Sequence, residues 1–446
     1  MKSRNGAAAT TRLSTTPHRR FRPPDNCRRV VGMLIRFAVS NFRSIDDEVE
    51  LSLVSTQRFP ESRFHQPSIG ETLLPTLAIY GPNASGKTNL LLSLRWIRDA
   101  ITSSLRFWEN DIPVIPFAFT NDVERPTTFE LEMMIDGDRC EYYLEVNHDR
   151  VIYEAAYRTR EGERTLLFER DGEHLTFDAA IIRQEAIREL LTPRTLVMSI
   201  ALRYTESSLI GFINAIQRMR FLGGPRWAFT GPFIHLRSVD DQIWSDDESV
   251  LQPSLFDERQ YKGKALNWLR MADLGITDVQ LVQDTGANDA ALRKRVQLIH
   301  ATAHGELPLD FMQESEGTQA WFRLIAPTIT ALETGSTLIF DELDASLHPV
   351  LSAQLLEFFH DQDVNTKGAQ LLFSAHNTGL MRHLHGDEIW LTEKTDGITS
   401  VEPLSAFDSE RVRQSTDLES GYLHGRFGGL PNLDLTQLLR GKGVID

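Results

Sequence analysis

Three observations predict an α/β fold with an antiparallel β lobe and an inserted helical subdomain. The octapeptide Gly81-Pro82-Asn83-Ala84-Ser85-Gly86-Lys87-Thr88 directly follows the apolar stretch Leu73 to Tyr80 and precedes the amphipathic run Leu90 to Ile97. A second apolar stretch, Thr337 to Phe340, ends in Asp341-Glu342. Between the two lie short alternating runs broken by turn residues, followed by segments of helical spacing.

Residues 1–32 differ in kind from the rest. Lys2, Arg4, Arg12, Arg19, Arg20, Arg22, Arg28 and Arg29 face only Asp25, a net +7, so that of the total charge of −15 the remainder carries −22. Three readings stay open: a transit peptide, a basic arm for nucleic acid, or a disordered extension upstream of a start at Met33. The last is preferred, because Met33 stands immediately before the strand-like Leu34 to Ser40.

The pattern then runs through strands at Val49 to Val54 and Leu73 to Tyr80, the octapeptide, and a helix. An antiparallel meander follows at Thr128 to Ile135, Cys140 to Val146, Val151 to Tyr157 and Thr165 to Phe168, separated by Asp136-Gly137-Asp138, Asn147-His148-Asp149 and Arg160-Glu161-Gly162. Ala179 to Leu191 and Glu206 to Arg220 read as helices, Gly223 to Ser254 as a loop or linker, and Tyr261 to Met271 as a helix again. Val279 to Gln283 and Arg293 to Ala301 read as strands, and Glu316 to Leu332 as a helix. The division expected is 1–32 extension, 33–177 N-terminal lobe, 178–275 helical insert and 276–446 C-terminal lobe. The aromatic Pro116-Phe117-Ala118-Phe119 reads as a buried strand.

With 446 residues, 41% hydrophobic and 24% charged, the chain has ordinary globular composition and room for two or three domains. Cys27 and Cys140 are far apart, which argues against a disulfide framework or a cysteine zinc site and for a reducing, cytoplasmic setting. No apolar run approaches the roughly 20 residues that span a bilayer, which excludes a membrane permease.

The octapeptide has the pattern Gly-x4-Gly-Lys-Thr of a phosphate-binding loop in its strand-loop-helix setting. Glycines let backbone N–H groups turn toward a phosphate, the helix N-terminus adds positive potential, Lys87 reaches the outer phosphates and Thr88 can ligate Mg²⁺. The chain is therefore expected to bind a nucleoside triphosphate. The strand ending in Asp341-Glu342 would place its carboxylates at the C-terminal edge of a parallel sheet, with Asp341 holding Mg²⁺ through water and Glu342 polarising the attacking water.

With these motifs in this order, the chain resembles the ABC-type P-loop ATPases of the SMC, RecF and OLD group. Asn41-Phe42-Arg43-Ser44 is similar to that group's opening motif, whose arginine approaches the nucleotide. Asn83 and the trailing Asn89-Leu90-Leu91 match its loop, so the resemblance implies ATP contacts from Gly81, Asn83, Ala84, Ser85, Gly86, Lys87, Thr88 and Asn89. Ser315-Glu316-Gly317-Thr318-Gln319 resembles the signature motif, and Ser374-Ala375-His376 the switch histidine. By resemblance, Ser315 and Gly317 meet the γ-phosphate of a nucleotide held by a second subunit, Asp344 couples the two composite sites, and His376 contacts the γ-phosphate. The signature departs from its usual form at Glu316 and Thr318, and Glu316 is expected to cap its own helix rather than touch ATP. No glutamine loop is identifiable.

A closer resemblance is to compact AAA-type ATPases of bacterial abortive-infection and phage-defence systems. It is carried by Asp273-Leu274-Gly275-Ile276, by Leu309-Asp310-Phe311 and by Tyr422 to Pro431, where Phe427 is expected to pack back onto the core. About 225 residues separate Thr88 from Ser315, too few for a long coiled-coil arm, and about 70 follow His376, too few for an added nuclease domain. Two function classes result. The preferred one is a cytoplasmic, ATP-controlled homodimeric switch working with a separate effector protein; the alternative is a DNA-repair-type ATPase acting on DNA through basic stretches such as Arg293-Lys294-Arg295 or Arg218 to Arg226.

Overall fold

The computed structural model describes residues 32–56, 64–119, 122, 124–223, 259–272, 275–283, 294–407 and 418–427. The basic extension before Gly32, the linker after Gly223, Arg293 with its basic stretch's start, and Gly428 to Pro431 lie outside the described residues.

The chain opens with β1 (Gly32–Ser40) and β2 (Val49–Ser52), then a small ribbon of β3 (His65–Gln66) and β4 (Glu71–Thr72). β5 (Thr76–Tyr80) leads into the octapeptide and the long helix α1 (Lys87–Phe107). The meander follows as β6 (Thr127–Ile135), β7 (Asp138–Val146), β8 (Val151–Arg160), β9 (Glu163–Asp171) and β10 (His174–Phe177). It joins the first two strands in a seven-stranded sheet ordered β10-β9-β8-β7-β6-β1-β2, antiparallel throughout. Positive-φ turns at Asp136-Gly137 and Glu161-Gly162 reverse the chain where the sequence predicts.

Helices α2 (Gln184–Leu190), α3 (Val197–Tyr204) and α4 (Ile210–Gln217) come next, and then β11 (Arg220–Gly223). After α5 (Arg259–Ala272), β12 (Ile276–Gln283), β13 (Lys294–Thr302) and β14 (Gly305–Asp310) form a separate antiparallel sheet. Helix α6 (Glu316–Thr334) feeds β15 (Thr337–Asp341), followed by the one-turn α7 (Leu343–Ser346), α8 (Pro349–His360) and β16 (Gln370–Ser374). The hairpin β17 (Ile389–Thr395) and β18 (Ile398–Pro403) and the short α9 (Leu418–Leu423) complete the described chain.

The central sheet is ordered β11-β15-β16-β5-β17-β18, parallel except for the last pair. Strands β5, β15 and β16 are buried on both faces, and alternate side chains enter different cores. Leu77, Ile79, Ile339 and Leu372 face the core shared with α1, α2 to α4 and the antiparallel sheet. Ala78, Tyr80, Leu338, Phe340, Leu371 and Phe373 face the core built with α5, α6 and α8. Near-continuous apolar runs such as Leu338-Ile339-Phe340 are what burial of both faces requires. Within β16, the buried Gln370 stitches the two sheets: its amide donates to Leu34 O and Leu74 O, and its Oε1 accepts from Leu34 N at 2.6 Å.

Several elements depart from the sequence reading. Arg220, read as the end of a helix, and Gly223, read as the start of a linker, bound the strand β11 beside β15, so the segment read as a helical insert also supplies a strand of the central sheet. Pro116 to Phe119 is not a strand: Phe117 is buried with its N–H donating to Asn41 Oδ1, whereas Phe119 is 72% exposed. Phe427 does pack into the second core.

α2 to α4 share one core with the meander rather than forming a core of their own. The anchor is Glu154 on β8, fully buried, which accepts from Tyr142 Oη at 2.9 Å and from the N–H groups of Val197 and Met198 at 2.8 and 3.1 Å. These are the first N–H groups of α3, where a carboxylate is favoured. Burial pushes the Glu154 carboxyl up, and Arg170, which itself donates to Thr192 O and Thr195 O ahead of the helix, opposes that shift. Glu154→Leu strands three buried donors and is expected to lower unfolding stability by about 3 kcal/mol. Chemical denaturation checks it; a loss below about 1 kcal/mol would show that the helices dock without this anchor.

Candidate functional site

The octapeptide emerges at the C-terminal end of β5, the edge at which open parallel sheets receive ligands. Gly81 has φ +153°, Ala84 +64° and Gly86 +112°, which together curl the loop into the start of α1 with Gly86 as N-cap. Lys87 is buried and its Nζ donates to Gly81 O at 2.7 Å and Pro82 O at 3.0 Å, folding back over the loop. Burial pulls the Lys87 ammonium below its ordinary value, while the charges of Asp341, Glu342 and Asp344 pull it the other way.

Asp341 ends β15, one strand removed from β5, and β16 lies between them. Ser374, the last residue of β16, therefore stands between the loop and the acids. Its hydroxyl donates to Asp341 Oδ1 at 2.5 Å and accepts from Glu342 N at 2.8 Å. Asp341 Oδ2 is buried and has no hydrogen-bond partner among the described residues. Glu342 sits in the left-handed region at φ 59°, ψ 55°, a conformation that costs a non-glycine residue about 1 kcal/mol. The Ser374 bond fixes its backbone while its side chain remains exposed.

Asp344 is engaged inside the chain. Its carboxylate accepts from His376 N at 3.0 and 3.2 Å and from Asn377 N at 2.6 Å, because the one-turn helix after Glu342 brings it under the segment following β16. The ring of His376 is exposed. That segment is held from the other side by α9, where Glu419 accepts from Thr378 Oγ1 at 3.0 Å and from Arg382 Nε at 2.6 Å. Tyr422 packs beside Tyr80, ring centroids 6.3 Å apart, and Tyr80 Oη donates to Asn377 O at 3.4 Å. Burial, then Asp344, push the Tyr80 hydroxyl up, which keeps it a donor.

Arg43 occupies a tight turn after β1 at φ 53°, its N–H donating to Ile115 O. Its guanidinium lies 5.8 Å from the Phe42 ring centroid, burial lowers its pKa, and its Nε is buried without a hydrogen-bond partner among the described residues. Asn41 is structural: its side chain donates to Arg125 O and Pro126 O and accepts from Phe117 N. Ser44 ties this turn to α1, since Asn89 Nδ2 donates to Ser44 Oγ at 2.7 Å.

No hydrogen bond among the described residues ties Ser315 or Gly317 to the loop or to Asp341. Ser315 caps α6, its Oγ accepting from Thr318 N at 3.1 Å, so the cap is Ser315 and not Glu316, whose side chain is exposed. The open space around Gly317 leaves the helix start accessible.

For Mg²⁺, the donor set consists of hard oxygens: the Thr88 hydroxyl, half-buried at the first turn of α1, and the unpartnered Asp341 Oδ2. Among the described residues no cluster of three or more His, Cys, Asp or Glu converges as a metal site. A nucleotide-bound Mg²⁺, which needs only one or two protein ligands beside phosphate and water, fits this set.

The sequence reading singled out the loop and both acids but not the roles of Ser374, Thr392 or Thr399. The threonines are buried members of β17 and β18 that reach the loop, yet a lone hydroxyl in an alternating strand carries no signal of its own.

Comparison with known proteins matches residues 77–382 to the family described as "AAA domain, putative AbiEii toxin, Type IV TA system". No curated protein matches the chain. Among solved structures, the chain is similar to the SMC head domain from Thermotoga maritima at 14% identity, covering 83% of this chain and 98% of that one, with a TM-score of 0.40. It is likewise similar to an Smc head bound to the C-terminal winged-helix domain of ScpA, at 12% identity, 85% and 99% coverage and a TM-score of 0.44. A third is the Smc head with an extended coiled coil bound to the C-terminal domain of ScpA from Pyrococcus furiosus, at 13%, 86% and 99%, with a TM-score of 0.44.

Proposed function

The chain belongs to this AAA family of P-loop ATPases, and we propose that it binds and hydrolyses ATP as an ATP-controlled homodimeric switch of a phage-defence system, acting on a separate effector protein. The observation that carries the ATPase reading is Asp341, which ends the strand one removed from that of the phosphate loop, with one carboxylate oxygen held by Ser374 and its buried Oδ2 without a hydrogen-bond partner among the described residues. The biological setting is drawn from the words of the family's description, a putative AbiEii toxin and a Type IV TA system, and from the sequence resemblance.

In this reading the loop amides, Asn83, Ser85 and Lys87 bind the phosphates, and Arg43 lies along the nucleotide. Thr88 and Asp341 would hold Mg²⁺, which when bound neutralises phosphate charge. Glu342 accepts a proton at its carboxylate from the attacking water, and His376, held by Asp344 through its backbone, faces the γ-phosphate. Ser315 and Gly317 serve a nucleotide on the partner subunit. Ser315 is exposed, the space beside Gly317 is open, and no hydrogen bond among the described residues ties either to its own chain's loop, which supports a site completed in trans. Asp344 is already bonded in cis, so coupling between the two sites would run through the segment it holds.

The test is phosphate release by the purified chain with MgATP, together with gel filtration with and without ATP. Magnesium-dependent turnover and an ATP-driven shift to a dimer are expected. Absence of both sinks the proposal. Strong, salt-sensitive stimulation by DNA would instead move the chain to the class that acts on DNA.

A further inference from the structure

The loop that would receive phosphate is held from behind by the hairpin of β17 and β18, and the hydrogen bonds there run in one direction. Thr392 Oγ1 donates to Tyr80 O at 3.1 Å, so in its 2.6 Å contact with Ser85 Oγ the serine is the donor. Thr399 Oγ1 donates to Ser85 O at 2.9 Å, so in its 2.8 Å contact with Ser44 Oγ the Ser44 hydroxyl is the donor. Ser44 Oγ accepts in turn from Asn89 Nδ2 at 2.7 Å, and Ser44 O accepts from Thr399 N at 2.7 Å. Each hydroxyl hydrogen is thus committed, and both chains end on carbonyl groups of the strand and loop.

The packing is as close as the bonding. A Cβ on Gly81 would stand 2.3 Å from Thr392 Oγ1, and one on Gly86 would stand 2.2 Å from Thr399 Oγ1. The two threonines therefore occupy the space that the glycines leave. Ser44 directly follows Arg43, so Thr399 also sets the Arg43 turn against the loop.

We infer that Thr392 and Thr399 are positioning residues for nucleotide binding, presetting the loop so that its N–H groups already converge when a triphosphate arrives. This rests on the nucleotide-binding reading above. A loop left to order itself on binding loses affinity, because the ordering entropy is then charged to the complex. Valine copies the shape of threonine without its hydroxyl, so Thr399→Val removes the bond to Ser85 O and leaves that buried carbonyl without the donor.

The test compares wild type, Thr399→Val, Thr399→Ser and Thr392→Val. Affinity is read by equilibrium titration with the magnesium complex of a non-hydrolysable ATP analogue, and turnover with ATP. Thr399→Val is expected to weaken binding about tenfold and to raise KM with kcat within about twofold, since a preset loop serves ground and transition states alike. Thr399→Ser keeps the hydroxyl and should bind as wild type does. A Thr399→Val chain that melts earlier but binds unchanged has lost only packing, and overturns the inference. Equal losses in Thr399→Ser and Thr399→Val overturn it as well. Should Thr399→Val not fold, Thr392→Val is read by the same criteria. A wild-type chain that binds no nucleotide overturns the nucleotide-binding reading and this one with it, whereas normal wild-type binding with unaffected variants overturns this one alone.

Discussion

Glu342→Gln is expected to bind ATP with near-normal affinity, to release phosphate about 10²- to 10⁴-fold more slowly, and to accumulate as an ATP-bound dimer. The backbone of Glu342 is held in its left-handed conformation by the bond from its N–H to Ser374 Oγ, and that hydroxyl in turn donates to Asp341. Glutamine preserves this frame and the shape of the side chain but cannot take a proton from water. Binding and closure should survive while the chemical step stalls. Gel filtration with ATP and single-turnover phosphate release check it. A variant that stays monomeric with ATP bound contradicts the dimer mechanism, and one that turns over at the wild-type rate removes Glu342 from the role of base.

Lys87→Ala is expected to lose at least about 10²-fold in ATP affinity, since two or more charge-assisted bonds to phosphate disappear together. The Lys87 ammonium donates to Gly81 O and Pro82 O of the loop itself, bonds that a bound phosphate would replace. Burial lowers its pKa despite the opposing pull of Asp341, Glu342 and Asp344. The protonated form is the one that binds phosphate, so wild-type affinity should fall as pH rises, and the fall should begin below the ordinary lysine range near about 10.4. Lys87→Ala should lack that alkaline fall. Titrations from neutral to alkaline pH on both proteins decide the point, and parallel profiles would remove Lys87 as the titrating group.

How much of this site could be read from the chain depends on how local each feature is. Gly81 to Thr88 is legible because the constraint lies within eight consecutive residues: a strand, a curl permitted by glycine, and a helix start. Asp341-Glu342 is legible because a strand buried on both faces must be apolar until it ends. The meander shows itself through period-two alternation and its turn residues, and the start of α6 through Ser315, a good N-cap.

Other parts needed the folded chain. β11 is four residues long and follows a helix; it is a strand only because β15 offers an edge in register from Arg220 with Leu338 to Gly223 with Asp341. Phe117 and Phe119 look alike in sequence, yet one is buried beside Asn41 and the other faces solvent. Asp344 lies in a run that reads as an ordinary strand-to-helix connection, and only the fold shows that its one-turn helix sets it against the backbone of His376 and Asn377.

The sequence by itself determined that this chain carries a phosphate loop, an acidic strand end and an antiparallel lobe, since each is written in contiguous residues with a fixed period or pattern. Tertiary structure alone decided what braces the loop, what orients Glu342 and where Asp344 points. Ser44 and Thr399 lie 355 positions apart and Ser85 and Thr392 lie 307 apart. Single hydrogen bonds over such separations impose no periodicity on either partner, so only the packed sheet reveals them.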